Sequence, residues 1–126
     1  MSVAYVDTSC LAAILLGEPG ARALELERFD SIWSSNLLEA ELLSVVRRED
    51  LEVDREALFH HLQWILPDRP LGAELEQVFA FGQLRGADAW HLGCALFLSP
   101  NAEIAFLTLD TRQREVAAKL GFEVEP

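Results

Sequence analysis

The chain has 126 residues, of which 51% are hydrophobic, enough to build one core without disulfides or a structural metal. Its net charge of −11 excludes binding to nucleic acid by phosphate neutralisation over a broad basic surface. The opening MSVAYVD has no basic region before its apolar residues, which is wrong for a secretory signal. The longest apolar stretches fall short of the roughly 20 residues of a membrane span.

Val3 to Val6 is a short apolar run ending in Asp7 and predicts a buried parallel strand. Ser9 is expected to cap a helix from Cys10 to about Leu16. Gly17-Glu18-Pro19-Gly20 breaks it, and a second helix is predicted over Ala21 to Phe29. Ser31 to Ser34 reads as the next strand. From Asn36 to Arg48, Leu38, Leu42, Val45 and Val46 recur at helical spacing, and two arginines close the last turn, where cations favour the helix dipole.

Asp54 is expected to cap a helix reaching Leu66, with Pro67 and Pro70 breaking the chain before a third short strand. Ala73 to Leu84 is helical by period. Gly86 interrupts it before Asp88 opens an almost wholly apolar helix, Ala89 to Leu98, which belongs in the interior. Ile104 to Leu107 is a strand leading to Asp110. Thr111 to Leu120 is a helix stopped by Gly121, and Phe122 to Val124 a last strand. Without repeats or linkers, residues 1–126 read as a single α/β domain with helices on both faces of a parallel sheet.

Ligands of open parallel sheets bind beyond the carboxyl ends of the strands, where Asp7 and Asp110 are placed. Asp88 opens a helix whose N-terminus faces the same edge. On the helix after the second strand, both Glu39 and Glu41 flank the apolar stripe, and periodicity does not choose between them. Carboxylates without clustered histidine or cysteine select hard cations, magnesium or manganese, and such a site suits phosphodiester hydrolysis. Taken singly, Asp88 and Asp110 read equally well as helix caps, Asp110 forming a capping box with Gln113.

Other chemistry has thinner support. His60, His61 and His91 lack zinc-ligand spacing, and Cys10 and Cys94 sit in apolar helical contexts as packed thiols, as expected of a reducing, cytoplasmic compartment. A phosphatase using Asp7 as nucleophile would want a second aspartate two residues on, where Ser9 stands. Trp33, Trp64 and Trp90 are expected to anchor the core or a dimer interface rather than read bases. Arg47, Arg48, Arg85, Arg112 and Arg114 flank the acidic motifs, as guides for phosphates or as solvated helix ends.

The segments YVDTS at 5–9, SSNLLEAELLSVVRR at 34–48, RGADAWHLGCAL at 85–96 and FLTLDTRQREVAAKLGFEV at 106–124 resemble the PIN-domain family, and most closely the VapC toxins of toxin-antitoxin pairs. The resemblance implies a PIN-like three-layer α/β/α sandwich with a central parallel sheet of four or five strands. It also implies Mg2+-dependent endoribonuclease activity, with Mn2+ as a substitute, and a homodimer held by a basic-tailed antitoxin. The metal-site acids become Asp7, Glu41, Asp88 and Asp110, supported by the Thr8 hydroxyl, and the family register selects Glu41 over Glu39. Trp90 replaces a smaller aliphatic residue, and Thr111 stands where the family often has a further acid. The other function this pattern allows is a PIN-like module that serves as a protein-binding partner with little turnover.

Overall fold

A computed structural model describes residues 2–124. Four strands, β1 (Val3–Val6), β2 (Ser31–Ser35), β3 (Leu62–Ile65) and β4 (Ala105–Leu107), form one parallel sheet in the order β3-β2-β1-β4. The predicted last strand contributes a single bridge, Glu123 to Ala105, with the Phe106 amide donating to the Glu123 carbonyl at 2.8 Å.

The pleat sends alternate side chains to opposite faces, and the sequence is apolar at both parities. Tyr5 and Phe106 point to one face, where they stack at 5.5 Å and meet Val78, Leu92 and Val116. Those residues belong to α4 (Gly72–Phe81), α5 (Gly86–Leu98) and α6 (Thr111–Leu120). Ala4, Val6, Ala105 and Leu107 point to the other face, against Cys10 of α1 (Thr8–Leu16) and Leu38 and Leu42 of α2 (Asn36–Arg48). Leu58 and Phe59 of α3 (Arg55–Phe59) extend that layer. The result is the expected three-layer α/β/α sandwich. Cys10 and Cys94 are buried free thiols, and burial pushes Cys94 up to about 12, so both pack as apolar groups. Trp33 and Trp90 pack half-buried against one core and Trp64 against the other. No helix among the described residues is long and apolar enough to cross a membrane.

Three stretches depart from the sequence reading. The helix expected from Asp54 to Leu66 stops at Phe59, and Leu62–Ile65 is the third strand, paired to β2 from Ile32↔Leu62 to Ser35↔Ile65. The strand expected after Pro70 is instead α4. Ladder bonds to an open sheet edge outweigh weak helical propensity here, and Pro67, which cannot donate to a ladder, follows just beyond the strand. Second, Ala21 to Phe29 is not an α-helix but two 3-10 turns, Pro19–Leu24 and Leu26–Arg28, parted by Glu25 at φ 43°. Insertion of Leu24 into the core, at 0% exposure, takes precedence over propagating the helix. Third, α1 begins at Thr8 rather than after a Ser9 cap, which frees the Ser9 hydroxyl for other work.

The chain leaves β1 toward β2 and β3 on one side and returns to β4 on the other. The carboxyl ends of β1 and β4 therefore flank the topological switch point, where open α/β sheets have their crevice.

Candidate functional site

Asp7 stands at that switch point, 4% exposed. Its backbone N–H continues the ladder to the Leu107 carbonyl at 3.2 Å, and its carboxylate accepts from Ser9 Oγ at 2.6 Å and Thr108 Oγ1 at 2.8 Å. The Ser9 hydroxyl in turn accepts the Leu109 N–H at 3.0 Å, so it ties the ends of β1 and β4 together. Burial raises the Asp7 pKa above the usual carboxylate range, and the two hydroxyl donors offset only part of that rise. Among the described residues no lysine or arginine pairs with it.

Thr108, fully buried, also lies 2.7 Å from Gln113 Oε1 and accepts the Asp110 N–H at 3.0 Å. One hydroxyl carries one proton, so Asp7 and Gln113 compete for it unless Asp7 is itself protonated. Gln113, also fully buried, donates through Nε2 to the Asp88 carbonyl at 3.0 Å and through its backbone N–H to Asp110 Oδ1 at 2.7 Å. This links the starts of α5 and α6 to the end of β4. The Asp110 cap is thus real, but Gln113 turns inward instead of closing a capping box.

Asp88 is not a cap. Arg85 occupies that position, and Asp88 lies in the first turn of α5, where its side chain has no hydrogen-bond donor among the described residues. Its pKa is raised by partial burial first, then by the charges of Asp110 and Asp7, with a smaller push from Glu41. All four carboxylates therefore act on one electrostatic field.

Glu41 reaches that field from α2. Its Oε1 accepts from Thr8 Oγ1 at 2.7 Å and from His91 Nε2 at 2.9 Å, and the His91 bond is the main reason its pKa is lowered. His91, 2% exposed, contacts the Tyr5 hydroxyl through Nδ1 at 2.7 Å, and that hydroxyl accepts the Ser35 N–H at 3.1 Å. A neutral imidazole donating from Nε2 and accepting at Nδ1 satisfies every group in this chain. Of the two glutamates that helical period left open, Glu41 is the one hydrogen-bonded to Thr8 and His91. Sequence reasoning missed Tyr5, Ser9, Thr108 and Gln113 as the site's framework, and expected His91 to pack or hydrogen-bond near Asp88, whereas its partners are Glu41 and Tyr5. The one available signal was polar residues in buried strand-end and apolar-helix positions.

Two grooves open on either side. One, of about 520 Å³, is lined by Arg85, Asp88, Asp110 and Arg112. The other, of about 440 Å³, is lined by Thr8, Glu41, Ser44 and Arg48. Among the described residues, no three His, Cys, Asp or Glu side chains form a group placed to hold a metal ion. What the arrangement provides is a line of oxygen donors at one sheet edge, two of them raised in pKa, between two basic-rimmed grooves.

Comparison with curated proteins found no match. The family comparison did: the PIN domain model matches residues 4–119, which takes in every residue of the site just described, and the chain belongs to the PIN-domain family, whose members are in general metal-dependent nucleases.

Proposed function

We propose that the chain is a magnesium-dependent endoribonuclease of the VapC type, the toxin of a toxin-antitoxin pair, acting through Asp7, Glu41, Asp88 and Asp110. One observation carries the reading. Asp7 is a nearly wholly buried carboxylate at the switch point of a parallel sheet, raised in pKa and without an ion-pair partner among the described residues. Maintaining such a charge costs stability, and a carboxylate kept at that cost marks a site of function.

The donor set suits a hard divalent ion: all the acids offer oxygen, Glu41 uses only Oε1 in the hydrogen bonds described, and Asp88 has no donor. Asp7, Asp88, Asp110 and Glu41 would hold it, one or two directly and the others through its waters, since no three of them are grouped as direct ligands, with manganese as a substitute. When bound, it supplies neutralisation of phosphoryl charge and a more acidic attacking water. The chain's own residues prepare the place. Ser9 and Thr108 fix both oxygens of Asp7, Thr8 and His91 fix Glu41, and Gln113 holds the starts of α5 and α6 in register. Arg85, Arg112 and Arg48 at the groove rims meet substrate phosphates. The net charge of −11 suits a basic-tailed antitoxin as the protein partner, and the assembly proposed with it is a homodimer.

The test is cleavage of a mixed RNA pool by purified protein with Mg2+, with chelator, and with Asp7→Asn. Cleavage that needs Mg2+ and drops by at least about a hundredfold in the variant supports the reading. Undiminished cleavage by Asp7→Asn, or RNA left intact with Mg2+, defeats it, and the latter leaves the protein-binding module.

A further inference from the structure

Gln113 is the third residue of α6, after the Asp110 cap, and has no exposed surface. Burying a glutamine costs side-chain freedom and the hydration of its amide, whereas leucine would fill such a place without the second cost. At this helix position a glutamine usually folds back to the backbone N–H of the capping residue. Here Thr108 Oγ1 already accepts the Asp110 N–H at 3.0 Å, which frees the amide to turn inward.

Turned inward, Gln113 reaches acidic residues on three elements. Its Nε2 donates to the Asp88 carbonyl in the first turn of α5 at 3.0 Å, and its backbone N–H donates to Asp110 Oδ1 at the start of α6 at 2.7 Å. Its Oε1 lies 2.7 Å from Thr108 Oγ1, which stands 2.8 Å from Asp7 Oδ2 at the end of β1. The Asp88 carbonyl lies inside a helix, where the N–H four residues on gives it a partner, so it does not need the glutamine for satisfaction. What the bond adds is position, because it ties the start of α5 to the start of α6.

That tie works against a force. The charges of Asp110 and Asp7 both act on Asp88, so the two helix starts repel each other, and among the described residues no ion pair joins α5 to α6. A divalent ion relieves the repulsion only where the carboxylates stand at the spacing its ligands and waters require, and Mg2+ tolerates little departure from octahedral geometry. We propose that Gln113 is a positioning residue for the divalent ion: it fixes the spacing of Asp7, Asp88 and Asp110 in advance and thereby sets how tightly the acidic cluster binds. The assignment rests on the metal-dependent nuclease reading above and adds to it a residue that acts on the ion only through other side chains and the backbone.

The test titrates Mn2+ into full-length, chelator-treated protein and follows free Mn2+ by electron paramagnetic resonance. Gln113→Met keeps the length of the side chain and removes the amide, and is expected to weaken Mn2+ binding by about tenfold or more. The Mg2+ concentration for half-maximal RNA cleavage rises by the same factor, while KM for RNA at saturating Mg2+ stays at the wild-type value. Gln113→Asn keeps an amide but is one methylene too short to reach both partners; it gives the same result and serves if the methionine variant does not fold. Val116→Ala is the control for plain loss of stability. Val116 is buried in the same helix within the apolar core, so this variant melts at a lower temperature and holds Mn2+ as the wild type does. Mn2+ affinity unchanged in the folded Gln113 variants, or weakened as much by Val116→Ala, overturns the positioning role while Mg2+-dependent cleavage by the wild type stands. A wild type that neither binds Mn2+ nor cuts RNA overturns the nuclease reading and this inference together.

Discussion

Replacing His91 with phenylalanine keeps an aromatic ring in a space 2% exposed and removes both nitrogens. Two bonds are lost: Nδ1 to the Tyr5 hydroxyl at 2.7 Å and Nε2 to Glu41 at 2.9 Å. The Tyr5 hydroxyl is wholly buried and loses its imidazole acceptor, keeping the Ser35 N–H and the neighbouring Ser34 and Ser35 hydroxyls, and the lost bond costs about 1–3 kcal/mol. The bond to the Glu41 carboxylate would be worth more in a dry site. Its side chain is 34% exposed and retains Thr8, so water and that hydroxyl recover part of the loss, leaving about 1 kcal/mol. The sum is about 2–4 kcal/mol, a fall in Tm of about 8–16 °C for a chain of this length. Urea unfolding in chelator measures it, with Tyr5→Phe and the double variant closing a cycle. Because the two side chains share one bond, their costs should fall short of additive by more than about 0.5 kcal/mol. A His91→Phe cost under about 1 kcal/mol, or strict additivity with Tyr5→Phe, would refute the reasoning.

Three further outcomes follow from charge and backbone geometry. Burial raises the Asp7 pKa above its ordinary 3.8, so the folded state binds that proton more tightly than the unfolded one. The stabilisation from this group is fully present below pH 3.8 and is lost as pH rises through the folded value. In chelator, Asp7→Asn should therefore melt above the wild type by a margin that widens from about pH 4 toward neutrality, and parallel melting curves across that range would count against it. Asp110→Asn should lower the Asp88 pKa without restoring its ordinary value, because burial is the larger cause; carboxyl NMR titration reads this directly, and an unmoved Asp88 breaks the claim of a shared field. Glu25 is exposed and sits at φ 43°, so Glu25→Gly should relieve strain and stabilise by up to about 1 kcal/mol in urea unfolding, with a loss pointing to contacts the backbone does not reveal.

What the sequence made legible was periodic or punctuated. The helix Asn36–Arg48 was readable to the residue because its apolar spacing and closing arginines agree, and Thr111–Leu120 because Asp110 and Gly121 bracket it. Leu62–Ile65 was not, since four residues flanked by histidines and prolines carry too little pattern, and the strand exists through its ladder to β2. The site divides the same way. Acids at strand ends announce themselves by position, and the family register added Glu41. Their framework is built from contacts 86 to 101 residues apart, Thr108 to Asp7, Leu109 to Ser9 and His91 to Tyr5, which no local pattern encodes.

That division has a physical consequence for where variation is tolerated. The buried hydroxyls, Gln113 and His91 form one hydrogen-bonded frame, so losing a member leaves partners stranded in a dry interior and damages fold and site together. The groove rims are the opposite case. Arg48, Arg85 and Arg112 are exposed and bear little on stability, so they can change without unfolding the chain. On the ribonuclease reading, recognition is free to diverge at those three positions while the carboxylate frame stays fixed, and exchanging the rim residues between PIN domains of different RNA preference should transfer preference without altering the dependence on Asp7.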